Sequence, residues 1–250
     1  VRNLVKGDRV AYTRGPLGAY AEARNIKAVE CIKIPEGVSD ELAAASMMKG
    51  LTAWYLLHQT FPVAKNDTVL IHAAAGGVGL LLVQWAKKIG ARVIGTVGSE
   101  RKAQLAKENG CDEIIFYRSE SIAQRVAQLT QGQGVEVVYD AVGAPTFTAS
   151  LDSLKPLGMM VSYGQAGGSV PPFSLTELAK RGSLFITRPS MMDYVRDNGT
   201  YFKASNALLK MLAEGQLKVS IGQRYPLAFI AEAHKALEGR DTIGASIIIP

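Results

Sequence analysis

Ile71-His72-Ala73-Ala74-Ala75-Gly76-Gly77-Val78-Gly79-Leu80 lies between a short apolar run, TVLIH at 68–72, and a helix-like run, GLLLVQWAKKI at 79–89. A strand that turns through glycines into a helix is the context a dinucleotide fingerprint requires. Gly76 falls where the backbone must approach a pyrophosphate, and Gly79 where the helix must pack closely on the strand. Ala73 takes the first glycine position of the G-x-G-x-x-G pattern. The helix start offers unpaired N–H groups and a positive dipole end to phosphates, worth about 0.3–1 kcal/mol per contact. A lone G-x-x-G also fits a tight turn without a ligand, so the residues around it must decide.

Outward from the loop, strand-like and helix-like runs alternate. Strands are expected at 92–96 (RVIGT), 113–117 (EIIFY), 135–139 (VEVVY), 159–163 (MMVSY) and 183–187 (SLFIT). Helices are expected at 101–109, 121–130, 147–154 and 175–180. Gly90 and Gly110 stand where helix C-caps favour glycine. Repeated βα units with right-handed crossovers build a parallel sheet covered on both faces. The strands' continuous apolar character fits burial on both sides. The fold class is therefore α/β, a doubly wound parallel Rossmann sheet. The flanks differ: strand-like pieces at 9–12, 19–23 and 31–34, then a helix over 41–48. Beyond Ser190, a helix is expected over 202–214, a strand around Tyr225, a helix over 230–237 and a strand over 245–249.

The end of the second strand indicates the dinucleotide. An acid about 20 residues past the glycines binds the ribose hydroxyls of NAD. Here the stretch reads Thr96-Val97-Gly98-Ser99-Glu100-Arg101-Lys102. Gly98 and Ser99 take the acid's place, and Arg101 and Lys102 are able to meet a 2′-phosphate. NADPH is the expected cofactor. Glu100 keeps a second reading open, as a displaced ribose acid binding NADH, and a third as a first-turn helix residue favoured by the dipole.

The 250 residues are 48% hydrophobic and 20% charged, which fits an ordinary globular chain. The net charge of +6 admits anionic partners. The basic residues form no run, which argues against nucleic acid. Two distant cysteines, Cys31 and Cys111, exclude a disulfide framework and fit a reducing, cytoplasmic compartment. No apolar run is long enough to span a membrane, and the N-terminus, which lacks Met, does not read as a signal peptide. Cys31, Cys111, His58, His72 and His234 show no ligand spacing, so no metal is expected. His72, at the end of a buried strand, reads as a satisfied core histidine. No nucleophile and base pair stands out, and the catalytic residues stay unassigned.

Four stretches carry a family resemblance: Lys49-Gly50-Leu51-Thr52-Ala53-Trp54-Tyr55, the glycine loop, Val138-Tyr139-Asp140-Ala141-Val142-Gly143 and Thr187-Arg188-Pro189-Ser190. Together they resemble the NADPH:quinone oxidoreductases. These are the zeta-crystallin-like, zinc-free branch of the medium-chain dehydrogenase/reductase superfamily. The resemblance runs from Gly7-Asp8-Arg9-Val10 to the C-terminus. The family's chain carries roughly 75 more residues ahead of this start, most of a first, GroES-like domain. The resemblance implies that residues 1–49 are the C-terminal part of a β-rich GroES-like substrate domain. Residues 50–190 would be the Rossmann NADPH-binding domain, and 191–250 a segment returning to the substrate domain, with the cofactor in the cleft.

Matching positions carry over as cofactor contacts. Gly76, Gly77 and Val78 match the pyrophosphate loop. Lys102 matches a lysine on the 2′-phosphate, with Gly98 and Ser99 beside it, and Tyr117 an adenosine-side tyrosine. Tyr55, Tyr163, Gly164, Gln165, Thr187 and Arg188 match the path towards the nicotinamide. Arg240 matches an arginine reaching the adenosine phosphate. Two departures stand out: Ala141 where some relatives have Ser, and Tyr163 where some have Phe. The resemblance implies metal-free reduction of a quinone by NADPH, and a homodimer through an edge strand at 183–187. Alternatives are an enone or alkenal reductase on the same scaffold, and a cofactor-regulated RNA-binding protein.

Overall fold

The computed structural model describes residues 4–239, 242 and 244–250. In chain order the strands and helices begin with β1 (Val10–Ala11), β2 (Ile32–Lys33), α1 (Asp40–Tyr55), β3 (Thr68–Ile71) and α2 (Gly77–Ile89). There follow β4 (Arg92–Val97), α3 (Glu100–Glu108), β5 (Glu113–Phe116), α4 (Ile122–Leu129), β6 (Val135–Asp140), α5 (Phe147–Asp152) and β7 (Leu154–Ser162). The chain closes with α6 (Thr176–Lys180), β8 (Phe185–Thr187), α7 (Met191–Tyr194), α8 (Asn198–Ala213), β9 (Ile221–Pro226), α9 (Ile230–Glu238) and β10 (Ala245–Ile249). The chain divides into two compact units, one of residues 55–190 and one of residues up to 54 with 191–250.

The 55–190 unit is the doubly wound sheet expected from the sequence. Its six strands run in the order β5-β4-β3-β6-β7-β8, all parallel. The first strand of the sheet, β3, lies at its centre, so the order reverses between β3 and β6. Leu70, Ile94, Val138 and Met160 are fully buried in four adjacent strands. Trp85 and Leu81 of α2 are buried as well. Gly90 ends α2 in the left-handed region at φ 98°, and its N–H bonds back to the Ala86 and Lys87 carbonyls.

Helix α2 starts two residues earlier and β8 two residues later than expected, and the boundaries around Pro156 shift as well. The helix expected over 147–154 stops at Asp152, and the strand expected from 159 begins at Leu154. Pairing runs Val135 to Leu154, then resumes at Val137 to Met159. The residues between include Pro156, which has no N–H for a ladder, and Leu157 at φ 63°. An irregularity is where a strand tolerates proline.

The second unit holds two small sheets, an antiparallel β1–β2 pair and a parallel β9–β10 pair. The strand expected at 19–23 is absent: the segment is a series of bends, with Gly15 and Gly18 just before it at positive φ. Helix α1 runs past the expected 48 to Tyr55. Its Gly50 faces α8 so closely that a Cβ would overlap the Leu208 side chain. Helix α8 begins before the expected 202, because the Asp197 carboxylate accepts the Thr200 N–H at 2.8 Å as an N-cap. Arg14, 7% exposed, pairs with Glu30 at 2.8 Å, bonds Asn198 at 2.7 Å and lies 3.9 Å over the Tyr201 ring.

Candidate cofactor site

The glycine loop leaves β3 at the carboxyl edge of the sheet and enters α2. Ala73 takes φ 51°, a left-handed conformation that glycine would adopt at no cost. Gly76 is the N-cap of α2, and no side chain caps it. The first N–H groups of a helix lack helical partners. A Cβ on Gly79 would collide with the Ala73 carbonyl oxygen and lie 2.9 Å from that of Ala74. The helix thus packs on the loop as the fingerprint requires. Gly95, which the sequence did not single out, supports the loop from below. A Cβ there would come within 2.7 Å of both Ala74 Cβ and Cys111 Sγ.

One corner of the edge is formed by the ends of β4 and β5. Gly98 follows β4, and a Cβ on it would meet the Tyr117 hydroxyl at 2.5 Å and Cζ at 2.9 Å. Tyr117, nearly half exposed, therefore lies directly on Gly98. Ser99 is the extended N-cap of α3 and makes no side-chain cap bond. Glu100, Arg101 and Lys102 are exposed on the first turn of α3. The structure thus brings Gly98, Ser99, Lys102 and Tyr117 to one corner, with Glu100 as the first helical residue.

The opposite corner is formed by the ends of β6, β7 and β8. The Tyr163 and Gly164 N–H groups donate to the Asp140 carbonyl at 2.9 and 3.3 Å. Gln165 follows, exposed. Thr187 ends β8 in register with Val161, and Arg188 follows it, exposed. Burial holds the Tyr163 hydroxyl well above its ordinary pKa, with Asp140 and Tyr55 adding to the effect. Tyr55 is buried, at 2% exposure. Gly76, Gly77 and Val78 lie between the two corners. Arg240 lies outside the described residues.

A buried polar row, unpredicted beyond His72, runs beneath this edge. His72 Nδ1 is 3.1 Å from Thr96 Oγ1, and Nε2 is 2.9 Å from Ser150 Oγ. Ser150 donates to Asp140 Oδ2 at 2.8 Å, as does Thr146 at the same distance. The other carboxylate oxygen accepts the N–H groups of Val142 at 2.7 Å and Gly143 at 3.0 Å. Burial lowers the His72 pKa, and the Asp140 charge opposes that shift. The sequence reading of His72 as a satisfied core histidine describes it correctly. Its partner Ser150 comes from a segment 78 residues away, as does Thr146 nearby, which bonds Asp140 and not His72; no local pattern reveals either. Asp140, after the apolar run VEVVY, was the one available signal. Among the described residues, no group of three or more His, Cys, Asp or Glu side chains could hold a metal ion.

A glycine loop at the reversal point of a doubly wound sheet, with a basic first turn on the next helix, defines a dinucleotide-dependent dehydrogenase. The zinc-binding dehydrogenase family matches residues 77–210. The quinone oxidoreductase of Salmonella typhimurium is 47% identical over the whole of this chain and 77% of its own length. The solved structure of Escherichia coli quinone oxidoreductase complexed with NADPH superposes with a TM-score of 0.96 at 44% identity. It covers 100% of this chain and 77% of that one. A 2-haloacrylate reductase from Burkholderia is 44% identical over the whole of this chain and 76% of its own length. The chain belongs to the quinone oxidoreductase family of the medium-chain dehydrogenases/reductases.

Proposed function

We propose that this chain is an NADPH-dependent quinone reductase that works without a metal. The observation that carries the reading is the corner at Gly98, Ser99 and Lys102. It presents a lysine and an uncapped helix start, with no acid before α3, beside an uncapped glycine loop. The likeness to an NADPH-complexed quinone oxidoreductase supports it. Gly76, Gly77 and Val78 would hold the pyrophosphate by backbone N–H groups. Lys102 and Ser99 would hold the 2′-phosphate, and Tyr117 would cover the adenosine. Tyr55, Tyr163, Gly164, Gln165, Thr187 and Arg188 would lie along the nicotinamide, with Arg240 on the adenosine phosphate. Bound NADPH would supply two reducing equivalents, as a hydride or one electron at a time, and with one proton from water a quinone would become a hydroquinone. The protein's part is position and field.

The domain division at 1–49, 50–190 and 191–250 belongs to the same reading. So does a homodimer through β8, the edge of the six-stranded sheet, whose Phe185 is 55% exposed. An edge strand with an exposed apolar side chain is a template for pairing. Both cysteines are buried and unbridged, which suits a cytoplasmic setting. No helix among the described residues is long and apolar enough to cross a membrane.

The test is calorimetric titration with NADPH and NADH, followed by NADPH oxidation with 1,4-benzoquinone. Tighter binding of NADPH with quinone turnover is expected. Equal or better binding of NADH would assign Glu100 as the ribose acid. The likeness to a 2-haloacrylate reductase favours a second reading, reduction of an activated alkene on the same scaffold. Preference for an enone over benzoquinone would decide for it.

A further inference from the structure

The buried row under the carboxyl edge has a direction. Ser150 has one hydroxyl hydrogen and gives it to Asp140 Oδ2. At His72 it therefore accepts, which places the imidazole proton on Nε2. Burial keeps the ring neutral, so Nδ1 is bare and takes the Thr96 hydroxyl hydrogen. The chain runs from Thr96 of β4 to His72 just past β3, then to Ser150 of α5 and Asp140 of β6. All four side chains are at most 1% exposed.

What hangs on the two ends differs. The Asp140 carboxylate holds the turn after β6 through the Val142 and Gly143 N–H groups, and its backbone carbonyl accepts the Tyr163 and Gly164 N–H groups of the turn after β7. The two turns are laced together: Ala166 N–H donates to the Ala141 carbonyl at 3.1 Å, and Gly167 N–H to that of Val142 at 2.7 Å. Rotation of the Asp140 carboxylate would shift the first turn, and Ser150 and Thr146 both resist that rotation by bonding Oδ2. His72 in turn fixes Ser150 and sits immediately before the glycine loop. At the other end, the Thr96 hydroxyl bonds the His72 ring and holds no turn; the Thr96 backbone carbonyl, which a Thr96→Val substitution keeps, accepts the Ala74 N–H at 3.1 Å.

We propose that Ser150 is a positioning residue: through the His72–Ser150–Asp140 chain it locks the turns at 141–143 and 163–168 to the glycine loop, and so fixes the reacting end of the dinucleotide. This rests on the reading that those turns line the nicotinamide. Ser150 touches neither cofactor nor substrate and acts only through Asp140.

The experiment compares Ser150→Ala with Thr96→Val. Each removes one hydroxyl from the same buried chain, two bonds at Ser150 and one at Thr96, so a merely structural role predicts losses of turnover and of NADPH affinity that rise together with the loss of stability. NADPH affinity is read by calorimetry, the hold on the dihydronicotinamide by fluorescence anisotropy of bound NADPH, and turnover with 1,4-benzoquinone. Ser150→Ala is expected to lower the anisotropy and reduce turnover at least fivefold, with NADPH affinity within twofold of the parent. Thr96→Val is expected to leave anisotropy and turnover within twofold. Should Ser150→Ala fold poorly, Thr146→Val removes the other hydroxyl on the same oxygen and is expected to show the same contrast. Equal effects from the two ends, or affinity lost in proportion to turnover, would overturn the proposal. If the parent protein does not oxidise NADPH with benzoquinone, the reductase reading fails, while the anisotropy contrast still decides the role of Ser150.

Discussion

The two corners of the carboxyl edge are built on opposite principles. At the end of β4, Ser99, Glu100, Arg101 and Lys102 are exposed and consecutive, Ser99 caps nothing, and Lys102 lies on a first helical turn. At the end of β6, the backbone is held by a buried carboxylate with four hydrogen-bond donors, and the turn after β7 bonds the carbonyl of the same residue. The first corner suits discrimination between ligands, because exposed side chains change without disturbing the sheet. The second suits rigid placement, because a buried, fully satisfied network has one low-energy arrangement. Substitutions that respect this division should act on one corner at a time.

The largest effect is expected where the division ends, at the loop between the corners. Gly79→Ala places a Cβ against the Ala73 and Ala74 carbonyls, which are backbone and have no rotamer to escape to. Helix α2 must move off the loop, at a cost of about 1–3 kcal/mol of stability. NADPH affinity should fall at least a hundredfold, read by calorimetry beside a urea denaturation curve. An affinity within threefold of the parent would show that the loop is a turn and not a phosphate cradle.

Lys102→Ala should sharpen the contrast. NADPH affinity is expected to fall about tenfold, or about 1.4 kcal/mol, while NADH affinity and the folding midpoint stay put. A loss shared by both dinucleotides would mean that Lys102 serves the fold or the pyrophosphate instead. Gly98→Ala should act at the same corner more mildly. The added Cβ meets the far end of the Tyr117 side chain, which can swing outward. A loss of about threefold, equal for both dinucleotides, is expected from calorimetry.

The difference between the corners also explains what the sequence made legible. The glycine loop, β3, α2, the β4 end and the presence of six parallel strands follow from local spacing and alternation, whereas the order of the strands in the sheet does not. Gly98, Ser99 and Lys102 lie within five residues of one another, so a motif displays them. Gly95 escaped because its constraint comes from Ala74 and Cys111, on two other segments. Asp140, Thr146 and Ser150 escaped because the row that joins them to His72, through Ser150, closes only after three further strands have been laid down. One outer strand was misjudged for a related reason: residues 19–23 read like a strand but form bends and pair with no strand among the described residues, and pairing rather than pattern makes a strand.

The smallest effect concerns pH and probes the buried corner alone. His72 has a folded pKa below its ordinary value of 6.5, because burial disfavours the imidazolium. The unfolded chain therefore takes up a proton near pH 6.5 while the folded chain stays neutral until lower pH. Stability is fully present above 6.5 and drains as pH falls through that value towards the folded pKa. Protonation would also put a hydrogen on Nδ1, where Thr96 now donates, so the hydroxyl would have to turn away. In His72→Gln the amide N–H can still reach Ser150, but nothing at that position titrates. Urea midpoints at about pH 7.5 and about pH 5.5 should therefore lie closer together in His72→Gln than in the parent protein. An equal gap in both proteins would place the acid sensitivity elsewhere. It would also contradict a neutral, Nε2-protonated His72, and with it the direction of the whole row.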